Sequence, residues 1–580
     1  MRKCVLALVV AFMMCGKLAA QGEEGIETVM LFFGVDSPEE LDVADVERME
    51  DFLDCPLRIN MVSQSRLAAS GLLSPYQAAS LSDYRARHGN VMSFTELSAV
   101  DGFGPDAVQK LRPFISLEYH QVHETAMETC HDLVFKSAYR ATGTPVSSDW
   151  NYGLKYRIRT DRMMVSIGAS MPYSAMSPWP KSYTGSLSYD FKRVRVVAGD
   201  FNARFGQGLA LWSGAFMTSL SSPDAFMKKP SGVSEIFSFT GSSALTGIAG
   251  AFSMRSLTLT VLTAVPGIKS FRPAPEKITL KPAVNLLWRG CFGQVSLSHV
   301  MELSGWNVAG IRIPSMGTSC DAAFCIRGVN VYGEALYDWS CQNIHAVTGT
   351  DFRIGEIMRV AALLRYLPTR YEDTTAQHGA ALSVSFGTQQ SKHEGVLAAD
   401  VVRYVEPKDK SVSHSTQVKF LGDWKCHIDD HWNLKLRLSE RLRSWGNHFR
   451  TDIRADVSYV SGPWAFNMRM NGLWCVKAGF VSYLEEGRKT SFTSLYLRQG
   501  IFLVDDWEDR IYVYERDAPG SFNVPAMYGR GWFVSAVASL RMNRSMRFYV
   551  RASYSGYQFM PSEKRKPDKA ELKLQVVSRF

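Results

Sequence analysis

Leu572-Lys573-Leu574-Gln575-Val576-Val577-Ser578-Arg579-Phe580 ends the chain, alternating a mostly apolar series (Leu572, Leu574, Val576, Ser578, Phe580) with a mostly polar one (Lys573, Gln575, Val577, Arg579). Successive strand side chains point to opposite faces, so a period of two marks a strand with one apolar side. The same alternation recurs upstream. Trp532, Val534, Ala536, Ala538, Leu540 and Met542 alternate with Phe533, Ser535, Val537, Ser539 and Arg541. Met546, Phe548, Val550, Ala552 and Tyr554 alternate with Ser545, Arg547, Tyr549, Arg551 and Ser553. Trp464–Met470, Trp432–Leu438 and Tyr152–Ile158 repeat the pattern. The longest of these runs, Leu572–Phe580, Trp532–Met542 and Met546–Tyr554, have the length a tilted strand needs to cross a bilayer, roughly 9–11 residues. Strands of soluble sandwiches average about 5–6.

The fold expected is therefore mainly β: a large antiparallel transmembrane β-barrel over residues 131–580, with a small α domain before it. About 17–20 residues per strand and turn give roughly 22–26 strands. The number should be even, with both barrel ends on one side of the membrane. Aromatic residues at strand ends (Tyr152, Trp432, Trp464, Trp532, Tyr554) suit interfacial girdles. A terminal Phe580 on an alternating strand resembles the C-terminal signal of outer-membrane proteins, which implies barrel assembly machinery as a partner during biogenesis and outer-membrane lipid as surroundings.

Residues 1–20 read as a signal peptide. Arg2 and Lys3 precede the apolar run Val5–Met14, and Leu18-Ala19-Ala20 offers a cleavage site. No later run of eighteen apolar residues suggests a transmembrane helix. The cysteines are scattered without zinc spacing. Cys320 and Cys325 are close enough in sequence for a loop disulfide, but isolated thiols are the simpler reading.

Charge is distributed unevenly. Residues 21–54 form an acidic helical lead-in, with Leu41, Val43, Val46, Met49 and Leu53 at helical spacing. Its acidic residues run from Glu23 to Asp54 against a single Arg48, whereas the barrel segment is strongly basic. Lys155, Arg157, Arg159, Lys435, Arg437, Arg469, Arg541, Arg547 and Arg551 share the non-lipid parity. A basic lumen would focus anions unless acidic groups neutralise it.

Residues 55–117 read as four short helices in two pairs. Pro75 and Pro105 open helices, and Ser93-Phe94-Thr95-Glu96 matches a capping box. Gly71-Leu72-Leu73 and Gly102-Phe103-Gly104 turn the chain. Leu67, Gly71, Pro75, Ala78 and Leu81, then Leu97, Val100, Gly102, Phe103, Gly104, Ala107, Val108 and Leu111, carry a resemblance to a tandem helix-hairpin-helix module. Its entry, Pro56-Leu57-Arg58-Ile59-Asn60, resembles that of competence-type DNA receptors. The resemblance implies backbone contacts to DNA phosphates at Gly71, Gly102 and Gly104, with Lys110 nearby. Against this stand Asp101, Asp106, Leu73 in place of a second glycine, and the adjoining acidic segment, since phosphate binding depends on positive charge. A structural or protein-docking role suits the module better.

Two glycine-containing stretches stand out in the barrel, Gly199–Trp212 and Asp509–Trp532. Both resemble stretches of a Bacteroidetes-type family of large barrels that carry an N-terminal helix-hairpin-helix module. Asp200, Arg204, Glu515, Arg516 and Asp517 within them are candidates for lumen salt bridges or a plug latch; the alternative is that they only fix barrel curvature.

No Gly-x-Ser-x-Gly elbow, HExxH or P-loop occurs. His427 and His431, flanking Asp429 and Asp430, read as a solvated loop. No catalytic residue, metal or cofactor is expected. The expected function is a channel or transport component of the outer membrane, its helical module in the periplasm docking a protein partner or gating the pore. The alternatives are DNA uptake through that module, or a non-conducting scaffold in a secretion or assembly complex.

Overall fold

The computed structural model describes residues 25–35, 37–118, 129–143, 147–160, 162–172, 180–214, 220–239, 244–254, 256–265, 279–290, 293–307, 310–355, 357–371, 374–387, 391–409, 414–543, 545–559 and 567–580. The segment read as a signal peptide lies outside them.

The alternating runs form long strands that pair with their sequence neighbours, each antiparallel to the next. The last strand, Lys569–Arg579, returns to the first, Cys130–Thr142, with Leu572 opposite Tyr139 and Val576 opposite Phe135. This pairing closes a 24-strand barrel, within the expected range and even. Closure leaves no unpaired strand edge in the apolar layer, which is what a bilayer demands. At the seam the Phe580 amide donates to the His131 carbonyl at 3.1 Å and the His131 amide to the Phe580 carbonyl at 2.7 Å. The Phe580 and His131 rings stack at 5.1 Å.

Strand parity sorts the two faces. In Trp432–Arg443, Leu436 and Leu438 are exposed. The Arg437 side chain between them is only 10% exposed. In Ser147–Arg159, Leu154 is exposed while Lys155 and Arg157 are buried. The outward face is thus apolar and ready for lipid, the pattern of an outer-membrane barrel. The inward Lys155, Arg157 and Arg437 are covered, so the lumen around them is occupied, whereas Arg541 at its strand end is exposed.

Connections differ between the two ends. At the end bearing Cys130 and Phe580 they are short, as at 327–328 between Gly310–Ile326 and Val329–Asp338. At the other end they include the long stretches 205–244 and 505–528, both of which carry small elements of their own.

Before the barrel, six short α-helices occur among the described residues: α1 (Gly25–Phe33), α2 (Val43–Asp54), α3 (Gln64–Ala69), α4 (Pro75–His88), α5 (Phe94–Ser98) and α6 (Pro105–Leu111). Ser63, Ser74 and Ser93 cap α3, α4 and α5, and Ser74 with Gln77 completes a capping box. The last four helices are the two helical pairs expected from sequence, and α1 and α2 fall within the segment read as a helical lead-in. A parallel two-residue bridge of Leu57–Arg58 with Ile115–Ser116 ties the ends of the module together. Ile26, Val29, Phe32, Met49, Leu67, Leu81, Leu97 and Phe114 form a single apolar core.

Cys320 and Cys325 lie on one strand and are both free thiols. His427 ends a strand and lies 3.0 Å from Glu394, while His431 falls in the following turn.

Candidate functional site

The acidic lead-in meets the basic lumen. Glu39 lies 2.9 Å from Arg469 and 3.7 Å from Arg454. Both arginines also hold Asp456 on the barrel wall, at 2.6 and 2.5 Å. Glu40 lies 2.6 Å from Arg437, which also binds Asp423 at 2.6 Å. Asp45 bridges Arg204 of the barrel and Arg48 of its own helix, both at 2.6 Å. Asp51 lies 2.7 Å from Arg157, itself 2.6 Å from Asp132. Asp54 binds Arg579 at 3.0 Å and Arg547 at 3.4 Å.

The helical pairs add further contacts around the wall. Lys110 lies 2.5 Å from Asp224, which also pairs with Arg359. Asp106 pairs with Arg353. The Arg66 guanidinium donates to the Thr160 carbonyl at 2.9 Å, and Ser65 to Asp190 at 3.2 Å. Arg289 donates to the Pro75 carbonyl at 3.3 Å. These barrel partners are spread round most of the strand order, so the module sits across the lumen and not to one side.

Burial and arginine neighbours act against each other on the lead-in carboxyls. Burial would raise Glu39, but Arg469 and Arg454 outweigh it and hold the carboxyl well below its usual range. Asp45, with Arg204 and Arg48, and Asp51, with Arg157 and Lys155, are likewise held down against burial. Glu50 has no such arginine. Burial pushes it up to about 8, although the Gly520 amide donates to it at 2.8 Å.

Two stretches from the long-loop end fold inward onto this module, and they are the two singled out in the sequence. In the first, Gly206 (φ +56) and Gly208 (φ +85) bend the backbone into a nest of amide donors. Glu334, on the strand Val329–Asp338, fills it. Its carboxylate accepts from the amides of Gln207 (2.7 Å), Leu209 (2.9 Å) and Ala210 (3.2 Å). A Cβ on Gly206 would stand 2.7 Å from that carboxylate, which explains the glycine. Arg204 donates to the Ser213 carbonyl at 2.8 Å as well as to Asp45, joining loop, strand and helix. Asp200 accepts from the Gly185 amide at 3.0 Å and from Thr246 at 2.5 Å, so it braces the wall and not the module.

The second stretch spans the gap between module and wall. The Tyr514 amide donates to Glu39 at 2.9 Å, and Tyr514 and Phe522 pack on the helical core. On the wall side, Glu515 pairs with Arg551, Arg516 with Glu485 at 2.8 Å, and Asp517 with Lys573 at 2.6 Å. Asp509, fully buried, accepts from the amides of Cys475, Val476 and Lys477 and so fixes the start of the fold-back.

Of the residues expected to meet DNA, Gly71 (φ +72) lies against the Arg48 guanidinium. Gly102 (φ +81) packs on the Tyr76 ring, and its carbonyl accepts from Gln77 at 2.8 Å. Gly104 caps α6 with open space beside it. Lys110 is turned to Asp224; burial, with Arg359 close by, holds it down to about 8. Asp101 and Asp106 are exposed beside the turn. Sequence reasoning found the turns but missed Glu334, Asp509 and the carboxylates of α2 as lumen contacts. The one available signal was the opposite charge of the lead-in and the barrel.

Residues 56–116 match the helix-hairpin-helix motif family. No curated protein matches the chain. Among solved structures the chain is similar to OccK11 (OpdR) of Pseudomonas aeruginosa, at 8% identity over 78% of this chain and 96% of that one, with a TM-score of 0.30. It is also similar to the outer membrane protein OpdK of Pseudomonas aeruginosa, at 9% identity over 78% and 99%, TM-score 0.29. A third likeness is to the P pilus usher (PapC) translocation pore, at 8% identity over 78% and 99%, TM-score 0.37.

Proposed function

We propose that this protein is a gated outer-membrane conduit whose lumen is closed at rest by its own helical module. The observation that carries the reading is the set of ion pairs from the lead-in and the helical pairs to lumen arginines around the wall. A barrel this wide, left empty, would be an aqueous channel. Buried pairs add little net stability against an apolar alternative. They suit a contact that must be made and released, because both partners are rehydrated on separation. The module's core is nearly all its own residues, Tyr514 and Phe522 being the contributions from the barrel segment. It can therefore leave the lumen without unfolding.

The short turns and the barrel ends at the Cys130/Phe580 end support a periplasmic orientation for that end. The module's contacts with Thr160, Asp190, Arg289 and Arg353 lie towards the same end. A periplasmic protein that displaces the module would reach its uncovered face, where Arg87, His88 and Met92 are exposed. The acidic flanks of the Gly102 turn and the engagement of Lys110 weigh against phosphate binding there.

Planar-bilayer recording tests the proposal. The full chain should rest closed or nearly so, and a variant lacking residues 25–117 should conduct strongly. Asp51→Asn with Asp54→Asn, which keeps every helix, should open intermittently. A folded deletion variant conducting no better than the full chain would refute the reading.

A further inference from the structure

The C-terminal end of α2 docks at the barrel seam. Asp51 and Asp54 reach Arg157, Arg547 and Arg579 there. Cys55 follows directly, its amide donating to the Asp51 carbonyl at 2.9 Å. Opposite it stands Cys130, the first residue of the first barrel strand, paired in register with Arg159. Arg159 Nη2 lies 2.8 Å from Cys55 Sγ and 4.0 Å from Cys130 Sγ. The two thiols hydrogen-bond to one another. Both are partly exposed, whereas Cys426 and Cys475 are buried.

We propose that Cys55 and Cys130 form a dithiol/disulfide pair that tethers the helical module to the barrel wall at the seam. The inference rests on the gated-conduit reading and adds its regulation. The setting provides the chemistry a reactive thiol needs: a second sulfur, a guanidinium and access to solvent. The hydrogen bond from Cys130, opposed by burial and aided by Arg159, lowers the Cys55 thiol. Cys55, the sulfur closer to the Arg159 guanidinium, is the attacking group.

The oxidant is a disulfide, borne by an oxidoreductase or a small molecule such as oxidised glutathione, and the bacterial periplasm maintains such donors. The Cys55 thiolate attacks one donor sulfur, forming a mixed disulfide and expelling the other as thiolate. Cys130 gives up its proton and attacks the Cys55 sulfur. The Cys55–Cys130 bond forms and the second donor thiolate leaves. Two protein thiols are oxidised by two electrons and one donor disulfide is reduced to two thiols.

The covalent loop would enclose the whole of 56–116. Oxidised, the module could tilt about the seam but not leave; reduced, it could be withdrawn. Arg159 is a positioning residue here, holding both sulfurs and favouring the thiolate.

The test uses the full-length protein, extracted from membranes, exposed to oxidised glutathione, alkylated and peptide-mapped. The expected product is a peptide pair joined through Cys55 and Cys130, absent in Cys55→Ser and in Cys130→Ser. Arg159→Gln should slow its formation about tenfold at pH 6 and much less at pH 9, where the thiol ionises unaided. In the Asp51→Asn/Asp54→Asn variant, which opens intermittently, oxidation should lower the open probability in bilayers, and dithiothreitol should restore it. Separate alkylation of both cysteines after glutathione treatment would overturn the pairing. A joined pair with unchanged open probability would overturn the tether. The pairing is read by mass and the gate by conductance of the deletion variant, so the two fail separately.

Discussion

Glu39→Gln probes the proposed gate with least disturbance to shape. Glutamine keeps an acceptor for the Tyr514 amide, 2.9 Å away. It removes the charge lying 2.9 Å from Arg469 and 3.7 Å from Arg454. The three side chains are at most 14% exposed. At an effective dielectric of about 20, the closer pair attracts by about 6 kcal/mol. Two effects reduce that figure. Asp456 still pairs with both arginines, at 2.5 and 2.6 Å. The arginines are also rehydrated when the module leaves. A loss of ~3 kcal/mol in seating remains, the low end for removing one partner of a buried pair. That is about a hundredfold in the ratio of open to closed lumen. Single-channel recording reads the ratio directly. Glu118→Gln is the control, because Glu118 is 71% exposed and 3.7 Å from Arg58, a pair of negligible value. Equal open probabilities for Glu39→Gln, Glu118→Gln and wild type, in folded barrels, would show that Glu39 does not hold the module in the lumen.

Two further outcomes follow from the same geometry. Glu50 is raised by burial to about 8 in the seated module and returns to the ordinary carboxylate range in water. The seated state therefore holds the extra proton between about pH 5 and 8, and seating should weaken as pH rises through that window. Glu50→Gln should abolish this slope in open probability, leaving the separate loss below about pH 4 expected from Glu39, Asp45 and Asp51, whose carboxyls are depressed. Glu334→Gln should release the loop around Gly206–Ala210, since an amide cannot accept from all three backbone donors. The cost is ~3 kcal/mol, and the readout is faster hydrogen exchange at those amides with strand exchange unchanged.

The strands were legible because bilayer thickness and parity write themselves into sequence locally. Trp432–Leu438 and Met546–Tyr554 declare both length and lipid face without any partner. The four hairpin helices were legible for the same reason, through Ser74, Ser93, Pro75 and Pro105. Helix α1 lies within the segment read as a helical lead-in, but that reading rested on residues from Leu41 onward, and the face Ile26, Val29 and Phe32 that α1 buries went unremarked. The contents of the lumen were beyond a local reading. Asp45 and Arg204 are 159 positions apart, and Asp54 and Arg579 are 525 apart. Sequence disclosed an acidic lead-in and a basic barrel as separate facts; only the closed barrel shows one inside the other. Glu334 was missed because a single acidic residue in an alternating strand looks like any lumen residue. The Gly206-Gln207-Gly208 nest that needs it lies more than a hundred positions away.

The central claim is that the helical module occupies the lumen, and zero-length carbodiimide coupling in intact membranes tests it most directly. Lys110 and Asp224 are 2.5 Å apart across the module–barrel boundary, and Lys573 and Asp517 are 2.6 Å apart within the barrel segment. An amide between Lys110 and Asp224 should form alongside the one between Lys573 and Asp517. Coupling of Lys573 to Asp517 with none between Lys110 and Asp224 would place the module outside the barrel and contradict the claim.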